Sequence, residues 1–144
     1  MKAIVRQVQG LTFVGKADSN HWVAMDADPK VGGSNAGSRP MELLLVALAG
    51  CTGMDVASIL DKMRVKYDDF YMEVEADRAK EHPKTFTAIR LKYVLVGDNI
   101  PPEAVNRAVQ LSQSTYCSVS AMLRQACEIS VDVEIRPKQA EQGR

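Results

Sequence analysis

The chain has 144 residues, 46% hydrophobic and 25% charged, and its 18 basic side chains balance 18 acidic ones. That length predicts one domain over residues 1–144, and that composition excludes a disordered tail, a collagen-like chain and a coiled-coil rod. Zero net charge leaves no electrostatic footprint for nucleic acid and no polybasic anchor for a membrane, so neither is expected as a partner.

Residues 3–14 and 21–26 read as two strands. Ala3, Val5 and Gln7 alternate with Ile4, Arg6 and Val8, and the polar run 16–20 separates the two segments, as in a hairpin or meander. A loop rich in Gly, Ser, Asn and Pro follows over 28–39. Pro40 then opens a helix predicted to run to about Arg64, with Ser38 at or near its N-cap. Glu42 in the first turn and Lys62 and Arg64 at the end complement the helix dipole. The first half, from Leu43 to Ala49, is apolar on all sides. Such a helix must be buried on every face, by a sheet and by something further, such as a second subunit. The apolar stretch 43–54 has 12 residues, against roughly 20 for a bilayer span. The first residues carry no signal-peptide h-region. A cytoplasmic protein with reduced thiols is expected.

Residues 70–79 and 86–96 alternate as an antiparallel pair with one solvated face, joined by a turn at 81–84. Gly97-Asp98-Asn99 ends the second strand, and Pro101-Pro102-Glu103 opens a helix carrying Val105, Ala108, Val109 and Ser112. A third helix over about 118–126 and a strand over 129–135 complete the order β-β-(β)-α-β-β-α-α-β. The class is α+β, an antiparallel sheet packed on helices.

Three cysteines, an odd number, do not read as a disulfide scaffold. Cys51 lies mid-helix in Gly50-Cys51-Thr52-Gly53. Two glycines there cost helix stability, which predicts a close approach to the backbone. Cys117 opens the third helix in Tyr116-Cys117-Ser118, where the dipole favours a thiolate. Each is equally a small buried packing group, as Cys127 is expected to be. Together they suggest thiol chemistry: a thiolate attacking a peroxide becomes a sulfenic acid, which a second thiol condenses to a disulfide. Arg39 and Glu42, in Ser38-Arg39-Pro40-Met41-Glu42, supply a cation for the thiolate and a carboxylate to orient it. Their plainer roles are an exposed loop arginine and charge compensation at a helix end. Asp55, one turn after Cys51, either reaches the thiols or marks the solvent-facing stripe. His21 and His82 lie in or beside turns, no Cys-x-x-Cys or His-x-x-x-His spacing supports a metal, and no Gly-rich fingerprint supports a nucleotide. No cofactor is expected.

The run from Pro40 to Val56, with Gly50-Cys51-Thr52-Gly53 inside it, and Tyr116-Cys117-Ser118-Val119-Ser120 some 60 residues on resemble the OsmC/Ohr family of hydroperoxide-reducing proteins. The resemblance spans nearly the whole chain and is nearer the OsmC-like branch. It implies an intertwined homodimer with long central helices enclosed by sheets from both subunits. It further implies hydroperoxide reduction in oxidative or osmotic stress defence, with Cys51 peroxidatic, Cys117 resolving, and an external dithiol as reductant. An arginine and a glutamate serve the thiolate in that family. In its organic-hydroperoxide branch the glutamate directly follows the motif proline; here Met41 stands there and Glu42 comes one residue later, about 100° round the helix. The rival expectations are a dimer that binds a lipid-like small molecule, and a protein handling sulfur in another way.

Overall fold

The computed structural model describes residues 1–138. Two compact units divide the chain, Met1–Val46 and Ala47–Arg144.

In the first unit β1 (Ala3–Gln9), β2 (Thr12–Ala17) and β3 (Val23–Met25) form an antiparallel sheet in the order β1-β2-β3. The segment expected as a single strand over 3–14 is broken at Gly10, whose φ of 56° closes a turn that the Gln7 amide braces by donating to the Gly10 carbonyl at 2.6 Å. The loop beyond β3 wraps around one carboxylate. Asp26, almost fully buried, accepts from Thr12 Oγ1 and from the backbone N–H groups of Ala27, Ser34 and Ala36, at 2.7–3.1 Å. Gly33 is required in this loop, because a Cβ there would strike the Ala27 backbone.

The helix opened by Pro40 is α1 (Pro40–Lys62), which runs from the first unit into the second. Its first backbone bond, Leu43 N–H to the Arg39 carbonyl, makes Arg39 the N-cap rather than Ser38. Ser38 is engaged instead with Met25 in an isolated bridge, its carbonyl accepting from Asp26 N–H. On length and composition alone α1 could cross a membrane, a property that core helices share. Its fully buried residues are Leu48, Thr52, Val56 and Leu60, one row at intervals of four. Burial on every face is not met: Val46 and Met54 are 63% and 71% exposed. One row is fully buried, Leu43, Leu45, Ala49 and Ile59 are half-buried, and Leu44, Val46 and Met54 stay exposed in the single chain.

In the second unit β4 (Asp69–Arg78) and β5 (Phe86–Val96) pair antiparallel as their alternation requires, across a turn with a cis His82–Pro83 bond. The last strand, β6 (Glu128–Arg136), runs parallel to β5, so this three-stranded sheet, ordered β4-β5-β6, is mixed. Between them lie α2 (Pro102–Leu111), a π-helical turn over Ser112–Tyr116, and α3 (Ser118–Leu123), where the sequence suggested two helices and no irregular turn. Leu91, Tyr93, Val94 and Leu95 of the central strand form the core with the α1 row and with Val105 and Ala108 of α2. The α+β class stands.

Candidate functional site

Helical periodicity places Cys51 and Asp55, one turn apart, on one face of α1, beside the fully buried row that holds Thr52. The second thiol arrives on another element. The π turn closes with a 2.8 Å bond from Cys117 N–H to the Ser112 carbonyl, and Cys117 then caps α3. π-helical turns recur at functional sites because the extra residue redirects side chains. Here the Sγ atoms of Cys51 and Cys117 and a carboxylate oxygen of Asp55 all lie within 4.8 Å of one another. Cys117 is buried, Cys51 and Asp55 are half-buried, and all three cysteines are free thiols.

Cys117 carries the expected helix-start geometry: its sulfur accepts from Ser120 N–H at 3.3 Å. Burial nevertheless pushes this thiol above its ordinary value, with Ser120 opposing the shift and the neighbouring Cys51 adding to it. The Ser120 hydroxyl is fully buried, with no hydrogen-bond partner.

Behind the thiols lies a polar cluster that individual residues did not announce. Thr52 Oγ1 shares hydrogen bonds with Tyr93 Oη at 2.5 Å and Ser112 Oγ at 2.8 Å, and accepts from Gln113 Nε2 at 3.0 Å. Gln113 also donates to Tyr93 Oη, and its carbonyl accepts from the Arg124 guanidinium at 2.8 Å. Ser112 Oγ donates to Asp55 Oδ2 at 2.9 Å. Thr52, Tyr93 and Ser112 are fully buried, and burial raises the Tyr93 phenol above its usual value. A buried network with every member bonded fixes geometry, and this one fixes the Asp55 carboxylate. Asp55 therefore reaches the thiols rather than marking a solvent stripe.

Of the two flanking glycines only Gly53 meets a close neighbour: a Cβ there would stand 3.3 Å from Met72 Sδ, whereas Gly50 faces open space. Arg39 and Glu42 lie in the first unit. The Arg39 guanidinium pairs with Asp28 at 3.3 Å and with Glu42 at 4.0 Å, and Glu42 also accepts from the Arg39 backbone N–H at 2.9 Å, as a capping-box residue does. Cys127, half-buried near Leu123, and the two histidines take no part in the thiol cluster. The first unit also holds a cleft of about 490 Å³ lined by Val5, Leu11, Phe13, Met25 and Val31, with Arg39 in its wall.

An α+β chain with a cysteine on a long glycine-flanked helix and a second at the start of a short helix defines a thiol protein of the OsmC/Ohr class. A family model described as OsmC-like protein matches residues 32–132. The chain belongs to that family. It is 41% identical over 135 residues to Protein YhfA of Escherichia coli, covering 94% of this chain and 98% of that protein. A crystal structure of a hypothetical protein from Aquifex aeolicus is 31% identical, with TM-score 0.83 over 96% of this chain and 97% of that one. An organic hydroperoxide resistance protein OsmC from Legionella pneumophila shares the fold at 15% identity, with TM-score 0.68 over 93% of this chain and 97% of that one.

Proposed function

We propose that the protein reduces hydroperoxides with Cys51 and Cys117. The Cys51 thiolate attacks the distal oxygen of ROOH; the S–O bond forms as the O–O bond breaks, and the alkoxide leaves as ROH after taking a proton. The Cys117 sulfur then attacks the sulfur of the Cys51 sulfenic acid, forming S–S and releasing water. Two thiols and ROOH thus yield a disulfide, ROH and water, and an external dithiol restores the thiols through a mixed disulfide. Asp55 is the carboxylate placed to accept and return these protons. Neither metal nor organic cofactor enters the cycle. In this reading Arg39 substitutes for the family's cation, which lies further upstream in that family, and Arg39→Ala is expected to slow Cys51 oxidation more than it lowers stability.

The observation that carries this reading is the approach of two free thiols from separate elements to within 4.8 Å. A disulfide needs about 2.05 Å between sulfurs and Cα atoms within about 7 Å, the geometric condition the reading sets. Mass spectrometry after one equivalent of hydroperoxide is the test. A loss of two protons with a Cys51–Cys117 linkage is expected; a gain of oxygen without a disulfide, or a linkage through Cys127, overturns the roles.

The same reading places the protein in the cytoplasm as a homodimer. Support for the dimer comes from exposed apolar side chains, Ile4, Val5, Val8, Leu11 and Val46 in the first unit and Met54 in the second, each 42% or more exposed. A chain that sediments as a folded monomer at micromolar concentration contradicts it. The apolar cleft of the first unit favours a second reading, binding of a lipid-like molecule. Native mass spectrometry showing a co-purifying ligand, with thiols inert to peroxide, would select it.

A further inference from the structure

Cys51, Asp55 and Cys117 present two sulfurs and an oxygen at a spacing close to that of a metal's ligand shell. Zinc bonds of about 2.3 Å to sulfur and 2.0–2.2 Å to oxygen put tetrahedral ligand atoms about 3.5–3.8 Å apart. The observed separations, all within 4.8 Å, need only a small contraction. We infer that these three side chains form a site for a thiophilic divalent cation of the zinc class, held while the thiols are reduced and released when they are oxidised. The inference rests on the thiol pair of the proposed function, but not on peroxide turnover.

Four observations carry it. The donor set is two soft sulfurs and one carboxylate, which suits zinc or cadmium rather than magnesium or calcium. No lysine or arginine of residues 47–138 forms an ion pair with Asp55, which leaves its charge open to a bound cation. The carboxylate has the outer partner that metal ligands need, since Ser112 Oγ donates to Asp55 Oδ2 and is itself held by Thr52. Finally, the buried Ser120 hydroxyl has no hydrogen-bond partner, and it belongs to the residue whose N–H holds the Cys117 sulfur. A buried hydroxyl without a partner costs stability. A metal-bound Cys117 sulfur, already held by the Ser120 N–H, would offer that hydroxyl an acceptor. Three protein ligands leave a fourth position open, as in exchangeable sites rather than closed structural ones.

The redox link follows from the bonds. Hydroperoxide oxidises the two thiolates to a disulfide, and both sulfurs cease to be strong ligands. Asp55 alone then holds the cation, too weakly to retain it.

The test uses the full chain, stripped with a chelator and reduced. Zinc is titrated against a chromophoric chelator, and cadmium is followed by its sulfur-to-metal charge-transfer absorption. A single ion per chain is expected, with the cadmium band lost or weakened in Cys51→Ser and Cys117→Ser and unchanged in Cys127→Ser. Ser112→Ala should lower zinc affinity about 10- to 100-fold, as loss of an outer partner does, and Asp55→Asn at least as much. Asp55→Glu, which keeps an oxygen donor, should retain binding and serves if Asp55→Asn does not fold. One equivalent of hydroperoxide should release the ion. Failure of the wild type to bind zinc at micromolar concentration, binding indifferent to both cysteine substitutions, or retention of the ion by the disulfide form each overturns the inference. Turnover by stripped protein that binds no zinc would sink this inference and leave the proposed function. Zinc binding without turnover would do the reverse.

Discussion

Residues 47–138 bury leucines, valines and Tyr93 to zero exposure, whereas residues 1–46 bury only Gly15 and Asp26. The second unit is organised by apolar contact, each fully buried Leu or Val contributing about 1.5–3 kcal/mol. The first is organised around a carboxylate that collects three backbone N–H groups and a hydroxyl. Its strands turn Ile4, Val5 and Val8 outward. A polar centre can order a loop and a small sheet, but it supplies little of the burial that makes a domain stable alone. The contrast explains why the thiol site is built in the second unit: placing two sulfurs and a carboxylate needs a scaffold whose side chains cannot shift.

The largest expected effect tests where the chemistry lies. Cys51→Ser should abolish hydroperoxide reduction. Cys117→Ser should permit one oxidation of Cys51, after which the sulfenic acid, lacking an internal partner, proceeds to sulfinic acid. Cys127→Ser should leave turnover nearly intact. Turnover that survives Cys51→Ser would move the active group elsewhere.

Core truncation sharpens the contrast in energy. Leu60→Ala should cost about 2–5 kcal/mol by denaturant unfolding, because the cavity it leaves lies in packed surroundings. Val5→Ala, at a position 57% exposed in the isolated chain, should cost at most about 0.5 kcal/mol when the chain is dilute enough to be monomeric. A larger, concentration-dependent cost at Val5 would show that another copy covers this face.

The polar cluster comes next in size. Thr52→Val keeps shape and removes the hydroxyl that three side chains share. Tyr93 retains Gln113 and Ser112 retains Asp55, so the loss should sit near the low end of the penalty, about 1 kcal/mol. An unfolding free energy equal to that of the wild type would mean that the cluster contributes no net stability.

Much of this was legible because it is local. Pro40 marks the start of α1, alternation marks β4 and β5, and the position of Cys117 before a helical run marks it as a cap. What was hidden depends on pairings between distant residues. Thr52, Tyr93 and Gln113 are ordinary singly and acquire meaning only when the fold joins positions 41 and 61 residues apart. The parallel course of β6 follows from where α2 and α3 return the chain, which no alternation pattern records. The π turn needs one extra residue in a helical ladder, and no residue type signals that. Asp26 reads as a loop carboxylate until its four donors are seen, and Gly50 shows that a mid-helix glycine does not guarantee a close neighbour.

The smallest effect is acid sensitivity of the first unit. The N–H of Ala36 holds the Asp26 carboxyl below its ordinary value of 3.8; burial opposes this, and Ala27, Thr12 and Ser34 add to it. A carboxyl whose folded value lies below its unfolded one stabilises the fold fully above the unfolded value, and that contribution fades as pH falls through the folded one. The first unit should therefore loosen below about pH 4, where an unfolded aspartate takes up its proton. In the second unit Glu134 is held well below its ordinary value, at about 2, by Arg136 and then Lys92, and its contribution is lost as pH falls through that value. The chain offers a probe for each unit. Trp22, the single tryptophan, lies in the first unit under the Lys16 ammonium, 4.8 Å from the ring centroid. Far-ultraviolet ellipticity is dominated by α2, α3, most of α1 and the second sheet. Trp22 fluorescence should change before the ellipticity as pH is lowered, and Asp26→Asn should flatten that early step by removing the proton it depends on. Coincident transitions, or an early step unchanged in Asp26→Asn, would show that the two units respond to acid as one.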